Sequence, residues 1–102
     1  MRGILLLALI AATPALAQHD AFPFGDPKKG KTVLEAKCTG CHVQRFGGDG
    51  SGVYTRSPRR VSSAPSLLAW VQRCNNANQL KLGPEDEESL AAYLNEAYYR
   101  FK

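Results

Sequence analysis

Two cysteines and a histidine stand together in the stretch CTGCH, at Cys38, Cys41 and His42. Thiols at this spacing can each add across one vinyl group of a haem and so hold the ring through two thioether bonds. The histidine that follows immediately is placed to bind the iron as its proximal ligand. The spacing therefore predicts one covalently attached haem c, held by Cys38 and Cys41, with His42 on the iron.

Other uses of the same residues match the sequence less well. A zinc site would take Cys38, Cys41 and His42 with Cys74 as a fourth ligand, but zinc ligands usually come in two well-separated pairs. A thioredoxin-like thiol pair requires a βαβ context, which the sequence does not indicate. A disulfide between Cys38 and Cys41 would leave His42 without a role.

The first seventeen residues have the layout of a secretory signal peptide. A positive charge at Arg2 is followed by an apolar run over residues 4–12, and small residues end the segment at residues 15–17. The run is too short to cross a bilayer, so we expect cleavage before Gln18 rather than a membrane anchor. Covalent haem attachment takes place on the outer side of the bacterial plasma membrane. The signal and the haem motif together predict a periplasmic protein.

Removal of 17 of the 102 residues leaves a mature chain of 85 residues, 18–102, which is enough for one domain. Chains of this size often need a disulfide, a metal or a cofactor for stability. The net charge of +4 falls to +3 without Arg2, which is too mild to indicate a nucleic-acid partner. Three cysteines are an odd number, so at least one lies outside any internal disulfide.

The sequence around the motif predicts three helices, one long loop and no convincing strand. Asp26 as N-cap and Pro27 begin a helix that runs into Cys38. Residues 44–65, rich in glycine, serine, proline and arginine, predict a long irregular loop. The second helix begins at the cap Ser66, and Leu67, Val71 and Cys74 share one of its faces.

The last predicted helix begins at Pro84, and the four acidic residues that follow suit the positive end of a helix dipole. Its inward stripe is expected to consist of Leu90, Leu94, Ala97 and Phe101, with Tyr93 and Tyr98 beside it. The predicted fold class is therefore all-α.

Both ends of the mature chain resemble class I c-type cytochromes. DPKKGKTVLEAKCTGCH is similar to the first helix and haem motif of that family, and EDEESLAAYLNEAYY is similar to its last helix. The resemblance implies three or so helices around one haem, with the terminal helices crossing where a glycine meets an aromatic residue. Gly30 and Tyr93 match those two positions. It also implies one-electron transfer to redox partner proteins through an exposed haem edge.

The chain departs from that family at the sixth iron ligand. The family takes a methionine from the loop before the last helix, whereas the only methionine here is Met1. WVQRCNN resembles a tract of a small group of oxygen-binding bacterial cytochromes in which asparagine is the sixth ligand, and Cys74 aligns with that asparagine. We predict the Cys74 thiolate on the iron, since a metal can deprotonate a coordinating thiol. The alternatives are a buried thiol or an intermolecular disulfide at Cys74 and, as ligands, Asn75, Asn76, Asn78, His19 and Lys81.

The long loop supplies cations for the haem propionates. Guanidinium groups with tyrosine or tryptophan donors are natural partners of a carboxylate. The predicted propionate or haem contacts are Arg56, Arg59, Arg60, Tyr54 and Trp70. The turn GGDG, residues 47–50, neither follows a strand nor opens a helix, so no phosphate site is predicted there.

These residues predict an electron carrier, or an electron-transfer subunit, without catalytic residues of its own. A haem protein that binds oxygen, nitric oxide or carbon monoxide is the alternative, and it follows if the sixth position is open or labile. A third interpretation has Cys74 take part in the oxidation of sulfur compounds beside the haem.

Overall fold

The computed structural model describes residues 21–55 and 60–102. Within these two stretches the chain forms helices and no strand, which confirms the all-α prediction at that level. The helices are α1 (Pro27–Lys37), α2 (Thr39–Phe46), α3 (Gly52–Thr55), α4 (Ala64–Ala77) and α5 (Pro84–Leu94), and a π-helical turn (Asn95–Tyr99) follows. Of these helices, none combines the length and the apolar character needed to span a bilayer. The predicted signal peptide, His19, Arg56 and Arg59 lie outside the described residues.

Helix α1 begins where the sequence predicts. The Asp26 side chain accepts a hydrogen bond of 3.0 Å from the backbone N–H of Lys28, and Pro27 occupies the first turn. Cys38 caps the end of α1 and the start of α2 at once. The CTGCH stretch therefore continues from α1 into a second helix after a bend at its first cysteine.

The segment predicted as one irregular loop, residues 44–65, is more helical than expected. Helix α2 extends to Phe46, and α3 adds a further turn at Gly52–Thr55. This turn is short, and it lies in a glycine- and serine-rich stretch without hydrophobic periodicity. Such a turn is stabilised by what it packs against rather than by its own sequence.

The predicted start of α4 is wrong by three residues, because Ser66 lies inside the helix rather than at its cap. The N-cap is Ser63, whose hydroxyl accepts a hydrogen bond of 3.2 Å from the backbone N–H of Ser66. Ser66 in turn accepts one of 3.1 Å from the backbone N–H of Ser63. The two serines form a capping box, in which the inner residue mimics a cap in the sequence.

Helices α1 and α5 form the most extensive contact between the described elements. Gly30 is buried at their crossing, where a Cβ atom would overlap the backbone carbonyl of Ser89 and lie 3.0 Å from the Cα of Leu90. The crossing at Gly30 is as predicted, but the nearest atoms across it are backbone atoms of α5 rather than the ring of Tyr93. Tyr93 lies one turn further along α5 and is partly buried.

The regular helix stops before the end of the predicted stripe. Leu90 and Leu94 are buried as expected, but the backbone then widens into the π-helical turn. The turn ends at Arg100, whose left-handed backbone (φ 63°) donates its N–H to the Asn95 carbonyl at 2.7 Å. The extra residue rotates the stripe, so Tyr99 enters the core, whereas Ala97 and Phe101 are only partly buried.

Candidate functional site

An apolar cavity of about 340 Å³ brings together most of the residues with distinctive chemistry. Its size lies within the range of about 300–1,000 Å³ that is usual for small-molecule and cofactor sites. Its apolar wall comes from the helices on each side and from the α4–α5 connection. That wall includes Leu34, Leu67, Val71, Leu82, Leu90 and Leu94.

The CTGCH stretch supplies one side of this cavity. Cys38, Cys41 and His42 all line it. The first turn of α2 brings Cys38 and His42 onto adjacent levels, since the His42 N–H donates to the Cys38 carbonyl at 3.3 Å. Burial raises the pKa of the Cys38 thiol to about 11, and the nearby Cys74 adds to the increase. Cys38 is therefore a neutral thiol at neutral pH.

Cys74 lines the same cavity from α4. Leu67 and Val71, which share its helical face, are buried, while Cys74 itself is exposed. All three residues of the predicted helical face line the cavity, but the alternative of a buried apolar thiol at Cys74 is wrong, because its side chain is exposed. Partial burial raises the pKa of Cys74 against the opposing effect of Arg73. No disulfide joins any two of the three cysteines.

The side chain of Asn75 stabilises the connection between α4 and α5 through hydrogen bonds. Its amide nitrogen donates to the Leu82 carbonyl at 3.0 Å and to a Glu87 carboxylate oxygen at 2.7 Å, and its amide oxygen accepts from the Leu82 N–H at 3.1 Å. The side chain is only 5% exposed. The suggestion of Asn75 as a weak iron ligand is therefore not supported, because both its N–H groups and its carbonyl already have partners.

The other candidate ligands differ in whether they line the cavity. Asn78 lines the cavity, and its amide nitrogen donates to the Cys74 carbonyl at 2.9 Å. Asn76 and Lys81 are exposed and do not line it. Of the sixth-ligand candidates, Cys74 and Asn78 thus line the cavity with exposed side chains, whereas Asn75 is buried and fully hydrogen-bonded.

Three of the predicted propionate or haem contacts line the cavity: Tyr54, Arg60 and Trp70. Arg60 is exposed and lines the cavity, as does the partly buried Trp70. The Arg73 guanidinium lies over the Trp70 ring, 4.7 Å from its centroid, in a cation–π contact. Sequence reasoning missed Arg73, although its place three residues after Trp70 on a helix was the signal for that contact.

Tyr54 also makes a hydrogen bond that the sequence did not predict. Its hydroxyl lies 2.7 Å from Nδ1 of His42, and the tyrosine is only 8% exposed. The structure thus engages this hydroxyl with the histidine. Sequence reasoning could not find the pair, because the two residues are twelve positions apart and only the turn of α3 brings them together.

Gly50 is a second site residue that the sequence did not reveal. It is buried with a left-handed backbone (φ 85°), and a Cβ atom there would lie 3.0 Å from both the Cβ of His42 and the backbone nitrogen of Val43. A side chain would be strained by the backbone and crowded by the histidine. The last glycine of the GGDG turn thus packs against His42.

The surroundings of His42 favour a neutral imidazole. Burial lowers its pKa, and the positive charge of Arg45 lowers it further. With Nδ1 hydrogen-bonded to Tyr54, Nε2 is the nitrogen left for a metal. The arrangement suits a single histidine ligand that is oriented by the hydrogen bond to its Nδ1 atom.

In the part of the chain that the structure describes, no three side chains among histidine, cysteine, aspartate and glutamate gather closely enough to hold a metal ion. The zinc alternative requires Cys38, Cys41, His42 and Cys74 to form such a group, and these four side chains do not form one. No protein-family model, curated protein or solved structure matches the chain.

Proposed function

We propose that this protein is an exported class I c-type cytochrome that carries one haem and transfers single electrons between redox partner proteins. The observation that carries the proposal is the convergence of Cys38, Cys41 and His42 on one apolar cavity. When bound there, haem supplies a ferric–ferrous couple. The thiols would hold the ring, and His42 would bind the iron through Nε2.

The residues of the cavity fit a haem better than a bare metal ion. A covalently held haem needs two thiols and one protein nitrogen, whereas a structural zinc site needs four protein ligands in a tetrahedron. The leucines and valines of the wall suit the apolar faces of a porphyrin, and Arg60 offers a cation to a propionate. Burial among these side chains also excludes water, which is one of the means by which a protein sets a haem potential.

Export, localisation and partners belong to the same proposal. A protein with thioether-bound haem matures in the periplasm, and the first seventeen residues have the layout that export requires. A small basic excess would steer the protein weakly toward acidic redox partners.

We further propose Cys74 as the sixth iron ligand in the ferric state, because it faces the same cavity as His42. A low-temperature electron paramagnetic resonance spectrum of the mature ferric protein is expected to be low-spin with the narrow g-spread of thiolate coordination. Cys74→Ser is expected to lose that spectrum and keep its haem, since serine is a poor iron ligand. Asn76→Ala, a change beside Cys74 but outside the cavity wall, is the control and should leave the spectrum unchanged.

A high-spin wild-type spectrum that Cys74→Ser does not alter would contradict this ligand and favour binding of oxygen, nitric oxide or carbon monoxide. One observation supports that second function. Cys74 lines the cavity but is exposed, so a small molecule can reach this part of the cavity from solvent. Rapid uptake of carbon monoxide by the reduced protein would distinguish this function from that of a carrier, which should take it up slowly.

A further inference from the structure

We infer that Tyr54 is the positioning residue of the haem iron's proximal ligand: its hydroxyl holds Nδ1 of His42 and so both aims Nε2 into the cavity and lowers the reduction potential of the iron. The inference rests on the proposed haem function.

The hydrogen bond itself is short and protected. The Tyr54 hydroxyl lies 2.7 Å from His42 Nδ1, and the tyrosine is 8% exposed. The turn of α3 starts with a bond of 2.9 Å from the Tyr54 N–H to the Ser51 carbonyl, which fixes the backbone of the tyrosine. The hydroxyl is therefore presented to the imidazole by a backbone that is already ordered.

The Tyr54 ring is held by aromatic contacts with the end of the chain. It stacks on Tyr98 with the centroids 5.0 Å apart and an interplanar angle of 28°, and it meets Tyr99 edge-on at 6.4 Å. Both tyrosines belong to the π-helical turn, and π-helical turns are frequent at functional sites. In an α-helix two consecutive side chains diverge by about 100°; here both reach one ring.

The π-helical turn is in turn secured by one buried asparagine. Asn95 is 5% exposed, and its side chain accepts from the Phe101 N–H at 2.7 Å and donates to the Phe101 carbonyl at 3.0 Å. These bonds fold the last residues back and keep Tyr98 and Tyr99 in place. The orientation of His42 thus depends on residues more than fifty positions further along the chain.

His42 is confined from a second direction by Gly50. A Cβ atom at Gly50 would lie only 3.0 Å from the His42 Cβ, so the glycine backbone lies close to the histidine. The imidazole also meets the Tyr54 ring edge-on, with the centroids 5.4 Å apart. The close backbone of Gly50 restricts the position of the His42 Cβ, and the hydrogen bond and ring contact with Tyr54 restrict its imidazole.

The hydrogen bond has an electronic consequence once Nε2 binds iron. Nδ1 then carries the proton and donates it to the phenol oxygen, since Nε2 is occupied by the metal. That bond withdraws positive charge from the imidazole and makes Nε2 more basic, which stabilises ferric over ferrous iron. Burial raises the pKa of Tyr54, so the acceptor is a neutral phenol.

Tyr54→Phe in the holoprotein tests the inference, because it removes the hydroxyl and keeps the ring. Loss of the hydrogen-bond partner of a metal-binding histidine typically changes metal affinity or activity by roughly tenfold or more. A tenfold loss of the preference for ferric iron corresponds to a rise in reduction potential of 59 mV for a one-electron couple. Spectroelectrochemical titration is expected to show a rise of that order. Tyr93→Phe, which removes a phenol hydroxyl from a neighbouring cavity also bordered by Tyr54, should not shift the potential.

The outcomes separate the inference from the function beneath it. A wild-type chain without covalent haem overturns both. A Tyr54→Phe protein with a full haem content and the wild-type potential overturns only the role of Tyr54. If that variant fails to fold, proton NMR of the wild-type protein in a diamagnetic ferrous state decides. A solvent-protected His42 Nδ1–H with a nuclear Overhauser effect to the Tyr54 ring supports the inference, and its absence contradicts it.

Discussion

A chain carrying both Cys38→Ser and Cys41→Ser is expected to contain no covalently bound haem. Addition to a vinyl group joins the thiol sulfur to one vinyl carbon and places the thiol hydrogen on the other, and a serine hydroxyl is a far weaker nucleophile than a thiol. Haem extraction into acidified acetone measures the effect, because only haem without thioether bonds enters the solvent. The wild-type chain should keep all of its haem through this treatment, and the double variant should keep none.

Cys74→Ser is the matched control for that result. It removes a cysteine from the same cavity wall and leaves the CTGCH stretch intact. The control should hold its haem as tightly as the wild type does. Covalent haem in the double variant, or its loss from the control, would show that the attachment site has been misassigned.

Gly30→Ala has the largest expected effect on the fold. The added Cβ would overlap the Ser89 carbonyl, and a backbone atom cannot move aside by changing rotamer as a side chain does. Overpacking of a core typically costs 1–3 kcal/mol and sometimes more; we expect at least about 3 kcal/mol here, since α1 and α5 must separate. Urea unfolding followed by circular dichroism would measure the loss of free energy of unfolding, and a small domain has only roughly 5–15 kcal/mol in total.

Gly40→Ala provides the control for this substitution. Gly40 also lies inside a helix, but a Cβ there would meet no atom within 4 Å. Alanine is the better helix former by roughly 1 kcal/mol, so this variant should be as stable as the wild type or slightly more so. Equal stability of the two alanine variants would contradict the close crossing of α1 and α5.

The helix ends that carry local signals were predictable. Asp26 and Pro27 mark the start of α1, and Pro84 with the acidic residues after it marks the start of α5. The capping box misled the placement of α4, because either serine reads as a cap. The π-helical turn could not be predicted, since it depends on Asn95 bonding the backbone of Phe101 after the chain has folded back.

The residues of the candidate site also differ in whether a local sequence signal predicts them. The spacing of Cys38, Cys41 and His42 predicted that they act together, and all three line one cavity. Cys74 lines the same cavity, as the helical period that it shares with Leu67 and Val71 indicates. The contacts that Tyr54, Gly50 and Asn75 make in the structure did not follow from the sequence. Each acts on a residue brought near only by the fold: His42 for the first two, and Leu82 and Glu87 for Asn75.

The intact mass of the mature protein tests the central claim most directly. The full chain would be produced in a bacterium that attaches haem in its periplasm, purified, and weighed under denaturing conditions. We expect a chain that begins at Gln18 and carries the added mass of one haem. A chain with the bare polypeptide mass, and with Cys38 and Cys41 still open to thiol alkylation, would contradict it.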